Sequence, residues 1–305
     1  MNFEILLVKL QKIGFSEGAI KWIGSYLKDR VQYVQLNRKL RRYISRKLKI
    51  KGGVPQGSVL GVLLFLIFIN DIGDYLKLKL GGVGFGVKSL FKIILFADDI
   101  LILVNNEILS KLETDAYIIM NMVSQWCDIN EMCMNNLKTK YILVGRISHI
   151  SDFNLIIGTE CIERVEALKY LGIILDDKLN FGMHLEICCK KLNAAIFVIR
   201  YLAKFCSIEL LMNVYHALFL SHVNYCISVW SLCSAKLLNK IFLIQKKAIR
   251  AMFMVKSRDS CREFFLKGNL LTVPALVAYN FIREFNSKRI SMIGVEQTGS
   301  VFYQK

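Results

Sequence analysis

Apolar side chains recur at helical spacing over residues 1–28, where Leu6, Leu10 and Ile13, and then Ile20, Ile23 and Leu27, fall on inward faces. Gly14 breaks the first of these helices, and Ser16 is placed to cap the second with Glu17 in its first turn. Val31–Leu36 reads as a strand. The run from Val59 to about Asp71 is apolar on every side, so the helix it predicts has to be buried. Two shorter runs, Ile93–Phe96 and Ile100–Val104, predict two buried strands with Ala97–Asp98–Asp99 at the turn between them. Leu112, Ala116, Ile119, Val123 and Trp126 mark one face of an amphipathic helix, and Tyr141–Val144 and Tyr170–Leu175 read as strands. From His184 onward the texture changes to helices dense in Lys190, Lys191, Arg200, Lys204, Lys246, Lys247 and Arg250, which places a lobe boundary near residue 180.

Composition changes this picture in two ways. A hydrophobic share of 54% and a mean hydropathy of +0.41 raise the question of a membrane. The longest apolar run, Val59–Ile69, has eleven residues, short of the about 20 that span a bilayer. The start, MNFEILLVKLQKIG, carries Glu4 within its apolar part and lacks a small-residue cleavage site, so it does not read as a signal peptide. The expectation is a soluble intracellular protein, nuclear or cytoplasmic, with no membrane partner. Charge points elsewhere: Lys+Arg 41 against Asp+Glu 24 gives +17, a strong pull toward polyanions. Nine scattered cysteines argue against a disulfide framework. His216, His222, Cys226 and Cys233 come nearest to a zinc site, but their spacings fit no compact ligand pair, and ordinary core cysteines are the preferred reading.

Three stretches carry candidate chemistry. Arg38–Lys51 packs eight basic residues into fourteen (Arg38, Lys39, Arg41, Arg42, Arg46, Lys47, Lys49 and Lys51) with no acid among them. A solvated edge hairpin protected by its charges would look this way; a surface that follows a phosphate backbone would too, and is preferred. Gly52–Gly61 then holds four of the nineteen glycines and one of the two prolines, a loop that lets backbone approach a ligand, with Ser58 placed to cap the next helix. It lacks the Gly-Lys-Ser/Thr of a phosphate-binding P-loop. A further glycine loop, Gly81, Gly82, Gly84 and Gly86, precedes the aspartate pair. Asp98 and Asp99 repel one another, and beside a core they need a cation. No Lys or Arg lies between Ile93 and Val104, which favours a bound Mg²⁺, an ion that takes one or two carboxylates and completes its shell with phosphates. A solvated hairpin turn is the alternative.

GVPQGSVLG at 53–61, FADDI at 96–100 and YLGIILDDKL at 170–179 occur in that order. Together they resemble the reverse transcriptase domain of non-LTR, LINE-type, jockey-like retrotransposons. IGFSEGAIKWIGSYLKDRVQYVQLN at 13–37, LLFLIFINDI at 63–72 and the Trp126…Asn135-Asn136-Leu137-Lys138-Thr139 stretch add to the likeness, and HLEICCKKLN at 184–193 and LFLSHVNYCISVW at 218–230 resemble the thumb that follows the palm. The resemblance implies an α/β (α+β) right-hand polymerase: partial fingers and an antiparallel palm sheet over 1–180, and a helical thumb and C-terminal extension over 181–305. It implies an RNA-directed DNA polymerase working on an RNA template, a DNA primer and deoxynucleoside triphosphates. Asp98 would bind the catalytic Mg²⁺ and Asp99 would support it. Gly53, Pro55, Gln56, Gly57 and Ser58 would check the nascent base pair, with Gln56 facing the template. Tyr170, Leu171 and Gly172 would grip the primer, and Arg38, Lys39, Arg41, Arg42, Arg46 and Lys47 would follow the nucleic-acid backbone. Lys138 falls where the family has a lysine that protonates departing pyrophosphate; a surface lysine is the equal alternative.

Two departures stand out. The family's first palm motif, a strand ending Ala-Phe-Asp with the other metal-binding aspartate, is expected just before Asn2, so the stretch reads as a fragment truncated at its start and inactive by itself. Val62 also stands where the family usually has proline. The competing reading is a non-catalytic nucleic-acid-binding remnant that uses the basic face alone; a basic membrane-surface protein is a distant third, since the basic residues share no one helix face.

Overall fold

Asn2 starts the first helix by accepting from the backbone N–H groups of Glu4 and Ile5, and Ser16 starts the second by accepting from that of Ala19. The computed structural model describes residues 1–38, 41–55, 57–81, 90–145 and 153–298; for Arg38, Gly81, Leu90 and residues 288–298 the description stops at the backbone. The chain packs as two compact units, Met1–Lys140 with Ile147–Arg164, and Tyr141–Arg146 with Val165–Lys305. It is a mixed helix-and-strand fold in which the strands, among the described residues, pair only two by two.

In the first unit α1 (Phe3–Lys12) buries Leu6 and Leu10, and α2 (Glu17–Leu27) buries Ile23 and Leu27. Ile13 does not face inward as its spacing predicts: the helix stops at Lys12 and leaves it 58% exposed. The expected strand Val31–Leu36 is two, β1 (Val31–Gln32) and β2 (Gln35–Arg38), interrupted where Val34 exchanges hydrogen bonds with Ser45. β1 pairs with β4 (Leu48–Lys49), and β2 with β3 (Arg41–Ile44), both antiparallel.

Two helices follow, α3 (Val59–Ile69) and α4 (Ile72–Gly81). Lys9 clamps α1 to α3. Its ammonium donates to the Phe68 carbonyl at 2.7 Å and to Asp71 at 2.8 Å, and lies over the Phe68 and Trp126 rings. Burial outweighs the Asp71 partner and holds this lysine below its ordinary range. The prediction that α3 is buried all round fails. Leu64, Phe68 and Ile69 enter the core, whereas Val59, Val62, Leu63 and Leu66 are 91%, 61%, 52% and 42% exposed. Among the described residues one helical stretch, Val59–Leu80, is long and apolar enough to cross a membrane by length and composition alone; the expectation had stopped at Ile69. Its Leu64, Phe68, Ile72 and Leu76 are core residues of this unit, and 33% of the stretch is buried.

β5 (Leu90–Phe96) and β6 (Asp99–Asn105) form an antiparallel ribbon. Phe91, Ile93, Leu95 and Ile102 pack on the core formed by α1, α3 and α5 (Leu109–Ile129). The two strands are therefore half-buried and not buried, because only one face of the ribbon is covered; Phe96 and Leu103 are 58% and 48% exposed on the other. On α5 the predicted inward face is present, with Ala116, Ile119, Val123 and Trp126 buried. Of the expected strand Tyr141–Val144, only Lys140–Tyr141 (β7) is extended and paired; β8 (Ile156–Ile157), β9 (Glu160–Cys161) and β10 (Glu163–Arg164) are equally short.

The second unit opens with the hairpin of β11 (Ala167–Tyr170) and β12 (Ile173–Asp176). Asp176 is buried and accepts from the N–H groups of Lys178, Asn180 and Phe181, which fixes the turn into α6 (Gly182–Leu202). Then come α7 (Ile208–Val214), a π-helical turn (Tyr215–Leu220), α8 (Ser221–Asn224), α9 (Ile227–Trp230), α10 (Ala235–Met252), α11 (Arg262–Lys267) and α12 (Val273–Thr298). Ile173 joins the core of these helices, so the hairpin before residue 180 packs with them. Gln245 sits at the centre, fully buried. Its amide nitrogen donates to the Tyr215 hydroxyl at 3.0 Å and the Leu271 carbonyl at 2.9 Å, and its oxygen accepts from the Val273 N–H at 2.8 Å.

Candidate metal and nucleic-acid site

The β5–β6 ladder closes at Phe96 opposite Asp99, so the loop between the strands is only Ala97–Asp98. Ala97 adopts φ 51, a left-handed conformation that a non-glycine residue rarely takes. Asp98 at the turn and Asp99 at the first position of β6 stand side by side as their flanking runs predict, and no basic side chain bonds to either among the described residues. Their surroundings differ from the expectation. Both are exposed, so water neutralises much of their repulsion, and the case for a cation no longer rests on burial. It rests on donor chemistry: adjacent carboxylates with open coordination fit a single Mg²⁺ that takes its remaining ligands from phosphates and water. Among the described residues no group of three or more His, Cys, Asp and Glu side chains is placed to hold an ion.

The Gly53–Ser58 loop is built on its glycines. Gly53 and Gly57 have φ of 85° and 81°, and the Gly53 N–H donates to the Met1 carbonyl at 2.9 Å. Ser58 caps α3 as predicted, accepting from the Gly61 N–H at 3.0 Å and donating to the Pro55 carbonyl at 2.8 Å. A side chain at Gly61 would meet that carbonyl at 2.8 Å, so the loop folds back onto the first helical turn and admits only glycine there. Gln56 lies outside the described residues. Lys138 is exposed in a turn whose backbone bonds to Asn135, and its ammonium pairs with neither aspartate.

The basic run is an exposed hairpin. Arg41, Arg42, Arg46 and Lys47 all face solvent, Arg42 donating to Gln35 at 2.6 Å. Lys49 has a partner the run does not contain: Asp29, at 2.8 Å, whose hydrogen bond raises the lysine and lowers the carboxyl from their ordinary values. Lys39 and the side chain of Arg38 lie outside the described residues, as do Gly82, Gly84 and Gly86; Gly81 ends α4.

In the second unit, Tyr170–Gly172 is not the single strand expected. Tyr170 pairs with Ile173, and Leu171 and Gly172, both at positive φ (45° and 84°), make the two-residue turn of a hairpin. Tyr225 holds this turn. Its hydroxyl donates to the Leu171 carbonyl, and its ring lies so close to Gly172 that an added Cβ would stand 3.2 Å away. The Tyr170 hydroxyl is buried without a partner among the described residues. Tyr225 escaped the sequence reading because nothing local marks a residue that acts on a turn 54 positions earlier.

Comparison with known proteins matches residues 1–175 to the family described as reverse transcriptase (RNA-dependent DNA polymerase). The chain is similar to the RNA-directed DNA polymerase from mobile element jockey of Drosophila melanogaster, at 24% identity over 79% of this chain and 26% of that one. It is similar also to the probable RNA-directed DNA polymerase from transposon BS of the same species, at 26% over 75% and 25%, and to the jockey protein of Drosophila funebris, at 25% over 69% and 23%. The chain thus spans about a quarter of the length of the curated relatives it matches. No solved structure matches it.

Proposed function

The chain belongs to the reverse transcriptase family, and from that premise we propose that residues 1–305 form the palm-and-thumb part of an RNA-directed DNA polymerase of a non-LTR mobile element. The observation that carries this reading is the Asp98–Asp99 pair, exposed and free of basic partners at a hairpin tip. Asp98 would hold Mg²⁺ with Asp99 beside it. The ion, when bound, supplies charge neutralisation on triphosphate oxygens. The Gly53–Ser58 backbone approaches the nascent base pair, and Lys138 stands by as a proton donor to the leaving group. The Tyr170–Gly172 turn, fixed by Tyr225, would position the primer end, and Arg41, Arg42, Arg46 and Lys47 would follow the template backbone. Residues 1–180 supply fingers and palm, and 181–305 the thumb.

Asp98 and Asp99 would hold one ion, and chemistry that uses two ions would need further carboxylate oxygens from a second strand. Primer extension on an RNA template tests this, comparing residues 1–305 with a version preceded by a strand that carries a further aspartate. Extension by the longer version only, abolished by Asp98→Asn, is the expected result. Robust Mg²⁺-dependent extension by residues 1–305 alone overturns the half-site reading.

One observation favours a second role, binding without chemistry: the basic hairpin has its own exposed charges, and no ion pair joins them to the aspartate pair among the described residues. Such binding falls with salt by about 0.7 in the log–log slope per phosphate on single strands and about 0.9 on duplex DNA. Charge reversal at Arg41 and Arg42 flattens that slope. Binding indifferent to both would sink the phosphate-following role.

A further inference from the structure

Trp22, Tyr26 and Arg30 stand four residues apart along α2 and its C-terminal turn, so they share one face. The Trp22 and Tyr26 rings stack, with centroids 6.4 Å apart and planes 15° from parallel. The Arg30 guanidinium lies over Tyr26 at 5.0 Å and donates to its carbonyl at 3.4 Å. Tyr26 is therefore held from both sides, while Trp22 at the end of the row is 59% exposed. A large ring backed on one side by a braced neighbour and open to solvent accepts another flat ring with less loss of conformational freedom than an unsupported one.

Charge decides what kind of ring. Lys21 and Lys28 flank the row, and from Arg30 to Asn70 the chain has no acidic residue. Asp29 is occupied by Lys49, and Glu17, the one acid of α2, starts the helix five residues before Trp22, off this face. Arg30 leads directly into β1, which pairs with β4, and so into the exposed basic hairpin. An apolar protein partner would gain nothing from that field, whereas a polyanion carrying flat bases matches both features. We propose that Trp22, supported by Tyr26 and Arg30, is a stacking platform for an unpaired base of single-stranded nucleic acid, a contact made by ring face and not by phosphate. It rests on the reading that the basic hairpin follows the backbone of the same strand.

Of the three tryptophans, Trp126 and Trp230 are 2% and 0% exposed, so a change of emission on ligand binding belongs to Trp22. The probe is an unstructured RNA 12-mer, with an abasic 12-mer of equal phosphate number as control. Expected is saturable quenching by the RNA at the midpoint found by anisotropy, and little quenching by the abasic strand. Trp22→Ala weakens RNA binding roughly fivefold or more with its salt slope unchanged, and Trp22→Phe keeps most of the affinity. Binding at full affinity by Trp22→Ala, with no quenching in the natural chain, overturns the platform and leaves the hairpin reading intact. Quenching that persists while Arg41 and Arg42 charge reversal leaves affinity unchanged does the opposite. A blue shift of Trp22 emission with protein concentration, in the absence of RNA, would show the ring docking on a second copy and would also overturn the platform.

Discussion

Helices α3 and α10 are both rich in aliphatic side chains, yet they divide them differently. α10 turns Ile241, Ile244, Ala248, Ile249 and Met252 into the core of its unit and sends Lys236, Lys240 and Lys247 outward. α3 has no polar residue to send outward. It buries Leu64, Phe68 and Ile69 and leaves Val59, Val62, Leu63 and Leu66 in solvent. An amphipathic sequence states which face it buries; a helix apolar all round does not. On α10 the buried aliphatic side chains belong to one core that also takes residues from α6, α7 and α12 of the same unit, so energy should be lost wherever that face is cut. On α3 the loss should depend on the side.

The largest effect belongs to α10. Ile249→Ala removes a fully buried branched chain from the middle of the helical core and should destabilise that unit by about 2–5 kcal/mol. Because two units need not unfold together, amide exchange resolved over α6 and α10 is the measurement, not a single melting curve. Gln245→Leu follows on the same helix. It leaves the Val273 N–H and Leu271 carbonyl without the amide that joins them, at about 1–3 kcal/mol. Faster exchange at Val273 than elsewhere in α12 would identify that cause; uniform change would point to packing instead.

In the first unit, Gly61→Ala tests the tight side of α3. The added methyl meets the Pro55 carbonyl and Ser58 Oγ at under 3 Å and should cost about 1 kcal/mol or somewhat more, with the Gly53–Ser58 loop losing protease resistance first. A neutral result would mean that the loop does not fold back on the helix.

Much of this was legible where local chemistry acts alone. Ser16 and Ser58 cap their helices because a hydroxyl before an apolar run has few other roles, and Asp98–Asp99 sits at a turn because polar residues between two β-rich runs have nowhere else to go. What failed depended on the second face. A half-covered ribbon and a buried strand share one sequence pattern when both ribbon faces are apolar, so Phe96 and Leu103 gave no warning of exposure. Tyr170–Leu175 read as one strand because only Gly172 marks a turn within it. The phenol that fixes the turn comes from Tyr225, far along the chain. The charge run Arg38–Lys51 concealed the pairing of Lys49 for the same reason, its partner Asp29 lying before the run.

The smallest effect is the sharpest test of the comparison. Val62 is 61% exposed on α3, and Leu64, two positions on, is 2% exposed. Val62→Gln exchanges a β-branched residue for a better helix former on a mostly exposed face, so stability should move by no more than about 0.5 kcal/mol in either direction. Leu64→Gln places an amide in the core cluster that also holds Leu6, Phe68 and Trp126 and should cost several times more, since a buried amide without partners loses about 1–3 kcal/mol beyond the lost packing. Exchange at α3 amides in the two variants reads the difference directly. Equal losses would mean that the outer face of α3 is covered in solution, and the contrast with α10 would then be one of partner and not of pattern.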